Sequence, residues 1–207
     1  MSTSNPVLEK FLAERELQRK ANTSPFFEEE VTILGIGGGA LNVLAYMRGA
    51  YRKKNFKYVI CNSDKIGLNY AESIGLQFWT WEDNPSILDS YLQGCKHLIV
   101  FSALGGTSGS TVTPILVARA KEMGIRMDVV VTIPNCDLEG ETRTQVATDA
   151  VAILKELVPN MQVFNLSDCT FINDYPLREG FKAIDRHILW TCISPLLSLY
   201  YRNDEEQ

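Results

Sequence analysis

The stretch Ser102-Ala103-Leu104-Gly105-Gly106-Thr107-Ser108-Gly109-Ser110-Thr111 limits the fold more than any other part of the chain. An apolar run, His97-Leu98-Ile99-Val100-Phe101, leads into it and has the pattern of a buried strand. A helical pattern follows from Val112 to Met123, with Pro114 in the first turn, where a missing N–H costs nothing. The stretch is therefore a Gly/Ser/Thr loop between a strand and a helix start. Its glycines let the backbone come close to a ligand, and its hydroxyl and N–H groups can donate to phosphate oxygens. The helix N-terminus adds partial positive charge. A turn that is merely rich in glycine is the plainer reading, but the order strand, loop, helix start is the one a phosphate site requires.

The rest of the chain repeats this alternation. Val31 to Ile36 is a candidate first strand that runs into a second glycine-rich turn, Gly37-Gly38-Gly39-Ala40-Leu41-Asn42, and a helix to about Arg52. Tyr58 to Asn62 is the next strand, ending in Asn62-Ser63-Asp64, with a helix from Lys65 to Ile74. Leu76 to Trp81 has the pattern of a short strand, Trp81 to Pro85 of a loop, and Ser86 to Leu92 of a short helix. Met127 to Ile133 is a strand closed by Pro134, followed by a polar loop, Asn135 to Arg143, and a helix, Thr144 to Leu157. Gln162 to Leu166 gives a last strand, and Pro176 to Tyr201 a long helix with a bend expected at Pro195. Val7 to Lys20 has a thin helical stripe, and residues 1–27 form a helix and linker ahead of one domain, 28–202, with an acidic tail at 203–207.

The apolar runs are continuous rather than alternating. This predicts an α/β fold: a three-layer parallel sheet with helices on both faces, Rossmann-like. Ligands of such sheets bind beyond the strand C-termini, where both glycine-rich turns fall.

Composition removes several functions. The net charge is −5, with no basic cluster that suggests nucleic acid. The 5 cysteines are widely spaced without a CxxC, against a zinc site or disulfide framework, and the 2 histidines cannot build a His-rich metal centre. The absence of a membrane span and of a signal-peptide pattern leads to a cytoplasmic expectation.

From about Val31 to Tyr201 these pieces resemble the nucleotide-binding domain of the FtsZ/tubulin family. The first turn matches that family's glycine turn after strand one. Gly105 to Thr111 stands where the family has GGGTGTG or GGGTGSG, with Pro114 three residues on. Asn62-Ser63-Asp64 matches Asn-Thr-Asp, and the segment from Pro134 through Leu138, Glu139 and Gly140 to Arg143 matches the sugar-binding loop. Phe181 and Asp185 match a Phe and an Asp four residues apart on the long helix.

The resemblance implies GTP or GDP as the ligand. Gly105, Gly106, Thr107, Ser108, Gly109 and Ser110 would wrap the phosphates, and Gly37, Gly38 and Gly39 would close from the neighbouring strand. Asn42 would reach base or ribose, Glu139 the ribose hydroxyls, and Arg143 the sugar and phosphate. Phe181 would stack on guanine while Asp185 accepts from its N1 and N2. Asn165 or Ser167 would fill the place of an Asn after the last strand. Asp64 has two readings, holding a water on magnesium or simply capping a helix.

Three departures from the family pattern carry expectations. Glu82 and Asp83 replace a glycine-rich loop at the terminal phosphate, where they would repel a triphosphate. Thr107 and Thr111 stand where the family has glycine, which is expected to narrow the cradle. No second domain or acidic hydrolytic loop follows Tyr201, so a filament of this chain alone is expected not to hydrolyse GTP by the family's route. Trp190, Ile193, Leu196, Leu197 and Tyr200 would then form an uncovered apolar patch, predicting a homo-oligomer or an FtsZ-like partner through the terminal helix.

The leading expectation is a guanine-nucleotide protein that self-associates or regulates a filament-forming relative. The alternatives are a scaffold that kept the fold and lost the nucleotide, and an NAD-binding oxidoreductase. The last rests on Gly35-x-Gly37-x-x-Ala40 followed by Asp64 about 24 residues on.

Overall fold

The computed structural model describes residues 31–50, 56–80, 86–170 and 174–198. The expected helix at Val7–Lys20, the loop Trp81–Pro85 with its two carboxylates, and the acidic tail lie outside the described residues. The strands are β1 (Val31–Ile36), β2 (Phe56–Asn62), β3 (Gln77–Thr80), β4 (His97–Ala103), β5 (Arg126–Ile133) and β6 (Gln162–Asn165). Helices follow in alternation: α1 (Gly38–Ala50), α2 (Lys65–Ser73), α3 (Ser86–Leu92), α4 (Thr113–Glu122), α5 (Cys136–Glu139), α6 (Glu141–Leu157), α7 (Leu177–Ile188) and α8 (Ser194–Ser198).

All pairings are parallel, in the order β3-β2-β1-β4-β5-β6. The expected three-layer architecture is therefore the observed one. Successive strand residues feed two cores. Ile33, Ile99 and Val130 enter one with α1, α2 and α7, whereas Leu34, Val100 and Val131 enter the other with α3, α4 and α6. This two-sided burial is why the strands lack polar alternation. At the start of β4, His97 Nε2 meets Asp128 Oδ2 at 3.1 Å in a buried pair, at the rim opposite the strand C-termini.

Three expectations change. The polar segment Asn135–Arg143 is helical rather than looped: Asn135 accepts from the N–H groups of Asp137 and Leu138 and starts α5, and Gly140 at φ +90° breaks α5 from α6. The glycine-rich loop is also shorter than its sequence suggests, because Ser102 and Ala103 complete β4 and Ser108–Val112 form a π-helical turn into α4.

The predicted apolar patch is the third correction. Ile193, Leu196 and Leu197 are 0%, 1% and 0% exposed, packed into the α1-side core, and of the described members only Trp190 is exposed. The chain turns these side chains inward because α7 continues through a π-helical turn, Leu189–Ile193, into α8 along that core. The turn ends just ahead of Pro195, whose ring displaces the carbonyl four residues back and whose missing N–H removes one helical bond. The surface offered as a route to a partner is thus an interior one.

Candidate functional site

The strand order reverses between β1 and β4, and in such sheets the crevice outside the strand C-termini at that point takes the ligand. Both glycine turns flank it. They are packed around Ala103, the last residue of β4. A Cβ on Gly109 would stand 2.0 Å from the Ala103 carbonyl oxygen, and one on Gly39 would stand 2.7 Å from the Ala103 Cβ. Gly105, at φ +92°, turns the chain where a Cβ would meet Pro134. Its N–H donates to Ser110 Oγ at 2.8 Å and closes the turn on itself.

Thr107 and Thr111 do not distort this geometry. Thr107 has φ −56° and ψ −56°, and among the described residues no residue other than glycine has positive φ. Both side chains are exposed. The backbone restriction expected from the added Cβ atoms is therefore not found, because these positions are helical, where a Cβ is at ease.

A cleft of about 430 Å³ opens here. Gly37, Gly38, Gly39, Asn42, Gly106, Thr107, Ser108 and Gly109 line it where α1 and the π-helical turn begin, and Glu139, Arg143, Phe181, Asp185 and Asp64 of the predicted set line it as well. The first N–H groups of α1 and of the π-helical turn have no helical acceptor behind them, so this end favours an anion. Glu139 and Arg143, four residues apart, pair at 3.2 Å, and Arg143 Nε donates to the Gly105 carbonyl at 3.4 Å. Asp64 caps α2, accepting from Ile66 N at 3.3 Å and Gly67 N at 2.9 Å.

Asp185 is half-buried with no hydrogen bond or ion pair among the described residues, and burial raises its carboxyl to about 6. Phe181 stands one helical turn before it and packs against the core edge. Cys61, near the same rim, is pushed by burial to about 12 and stays protonated.

Three predicted residues do not line the cleft. Gly105 and Ser110 serve the turn's internal closure. Asn165 spends its side-chain oxygen on Ser167 N at 3.0 Å, capping the turn Leu166–Asp168. Leu166 lines the cleft in its stead, with Asn62, Ser63, Phe101, Thr132, Ile184 and Ile188, none of which the residue-by-residue reading singled out as a ligand contact. The period-four spacing of Ile184 and Ile188 on the face that carries Phe181 was the available signal. Among the described residues no cluster of three His, Cys, Asp or Glu side chains can hold a metal, and no helix is long and apolar enough to cross a membrane.

The sheet order is also that of the dinucleotide-binding fold, so comparison with known proteins carries the distinction. No protein-family profile matches the chain. It is similar to the cell division protein FtsZ of Rickettsia bellii, 24% identical over 191 residues that cover 80% of this chain and 40% of that protein. FtsZ of Pseudomonas putida is 27% identical over 150 residues, 63% of this chain and 37% of that one. The chain thus spans about two fifths of the length of these relatives.

Among solved structures, an empty FtsZ dimer from M. jannaschii matches with a TM-score of 0.69 at 21% identity, over 92% of this chain and 60% of that chain. A GTPγS-bound protofilament of CetZ2 from Haloferax volcanii matches at 0.65 and 18%, over 81% and 57%. Both likenesses run along most of the present chain. The chain therefore has the FtsZ/tubulin-family fold, in the form of that family's nucleotide-binding domain.

Proposed function

We propose that the cleft binds a guanine nucleotide, GDP or GTP, with its phosphates against the turn Gly106–Gly109 and its base against Phe181 and Asp185. One observation carries the reading: a single cleft is lined both by the starts of two helical segments and by a half-buried carboxylate that has no hydrogen bond or ion pair among the described residues. The N-termini suit phosphate oxygens. The carboxylate suits N1–H and N2–H of guanine, a pair of donors that adenine lacks, and adenine would set its N1 lone pair against the charge. Asn42 lies within reach of ribose or base, and the Glu139–Arg143 pair is disposed to accept from ribose hydroxyls and to face phosphate. Asp64, at the rim, is the residue to hold a water on magnesium, which would offset the charge of the phosphates.

Self-association belongs to the same proposal. The matched structures include a dimer and a protofilament, and in this reading the present chain pairs with its own copies or with a longer relative. Hydrolysis is not part of it.

Isothermal titration with GDP, GTP, ADP and ATP tests the proposal. Saturable 1:1 binding of the guanine nucleotides, with the adenine nucleotides at least about tenfold weaker, is expected. An absence of heat with all four would overturn it and leave the scaffold reading.

A further inference from the structure

Asn62, the last residue of β2, is 4% exposed and lines the cleft. Its Oδ1 accepts three hydrogen bonds, from Ser63 N at 2.9 Å, Asp64 N at 3.3 Å and Ser108 Oγ at 3.2 Å. Ser63 and Ser108 also meet through their hydroxyl oxygens at 3.1 Å. A hydroxyl has one proton. Because Ser108 gives its proton to Asn62, which can only accept at Oδ1, the Ser63 proton must go to Ser108. The direction Ser63 to Ser108 to Asn62 is fixed.

Asn62 Nδ2, meanwhile, is buried without a partner among the described residues. Turning the carboxamide over would set its NH₂ against two backbone donors and lose both of their bonds. The orphaned donor is therefore the cost of gathering donors from two elements at one oxygen.

These two elements have no other direct link in the sheet. β2 pairs with β1 and β3, whereas β4, which feeds the π-helical turn, lies on the far side of β1. The Asn62–Ser108 bond spans 46 residues and passes over the end of β1, where the Gly37 turn begins.

We propose that Asn62 is a positioning residue, which ties the end of β2 to the Gly106–Gly109 turn and so holds the phosphate end of the cleft in its binding shape. The inference rests on the nucleotide reading above. Both serine protons are spent inward, so anion contacts fall to the backbone N–H groups of the turn, and those are aligned only while the turn is held. Loss of the tie removes phosphate affinity and spares base affinity.

Two measurements test this on the full chain, with thermal melts as a check on folding. The first is binding of guanosine and GDP to wild type, Asn62→Ala, Ser108→Ala and Ser108→Thr. The alanine variants should weaken GDP about five- to tenfold and guanosine less than about twofold. Ser108→Thr, which keeps the hydroxyl, should recover most of the GDP affinity that Ser108→Ala loses. The double alanine variant should lose less than the sum of the two singles, since both break the shared Ser108–Asn62 bond. Equal losses for guanosine and GDP, or additive losses in the double variant, would overturn the proposal.

The second measurement needs no nucleotide. Amide exchange of Gly37 and Gly106–Gly109 in the free protein should speed up about tenfold in Ser108→Ala and in Asn62→Ala, and stay at the wild-type rate in Ser108→Thr. Unchanged exchange in the alanine variants would overturn the tie. Failure of the wild type to bind any nucleotide would instead overturn the reading of the cleft, while the exchange result would still judge the tie.

Discussion

At Asp185 burial opposes the charge that a guanine contact needs. The carboxyl is raised to about 6 by desolvation, with no donor among the described residues to offset it. The folded chain holds this proton to higher pH than the unfolded chain does. The group therefore favours folding below the ordinary carboxylate range, and that contribution is lost as pH rises through about 6. Melting temperatures taken from about pH 4 to 8 should show the loss in wild type and a flatter profile in Asp185→Asn.

Guanine donors favour the ionised form, so GDP affinity should fall as pH is lowered through about 6, with uptake of a proton on release. Titrations in buffers of different ionisation enthalpy measure that proton directly. At pH 7.5, Asp185→Asn should weaken GDP by about ten- to a hundredfold and narrow the gap to ADP. Phe181 and Asp185 were singled out by the resemblance to the family's long helix, and a spacing of four places them on one helical face, where both line the cleft. Asn165, offered with Ser167 for a ligand contact, does not line the cleft: a short polar side chain next to a strand end can serve its own backbone as well as a ligand, and here it caps a turn. Asn62 was passed over as a contact because its role depends on Ser108, 46 residues away, which spacing does not reveal.

Among the elements, the signature turn is held by steric fit more than by flexibility. Gly109 is the tightest point, with the Ala103 carbonyl where its Cβ would be. Gly109→Ala should cost about 3 kcal/mol or more in urea unfolding, because the atom in the way is backbone and cannot swing aside. A cost below about 1 kcal/mol would mean the turn moves freely off β4. Thr107 and Thr111 illustrate a limit of reading by substitution. A residue in place of glycine suggests strain, yet the π-helical conformation accepts it, and only backbone angles reveal this.

The terminal helix carries a similar lesson. Its apolar residues were correctly recognised, but their partner was taken to be another chain, whereas it is the core of this one. Leu197→Ala should accordingly lose about 2–5 kcal/mol of stability in denaturant titrations. An effect under about 0.5 kcal/mol would return that side chain to the surface. The segment Asn135–Arg143 escaped recognition as helix because Gly140 interrupts its periodicity after only 4 residues of α5.

At the scale of the molecule, the continuous apolar strands, the alternation and the two glycine turns were enough to give the parallel sheet and the rim that carries the cleft. They could not give the register of the tie across β1 or the inward turn of α8, which are set by packing between distant segments. If the cleft takes GDP, binding must stabilise the whole fold, by about 2.7 kcal/mol at a hundred times the dissociation constant. A matching rise in melting temperature with GDP, and a smaller one with ADP, is the expected result. The central claim is that phosphate and base occupy opposite ends of one cleft. A crystal structure of the chain with GDP tests it most directly: the account predicts phosphate oxygens on the Gly106–Gly109 N–H groups and guanine N1 and N2 on the Asp185 carboxylate. Nucleotide bound elsewhere, or guanine turned away from Asp185, would contradict it.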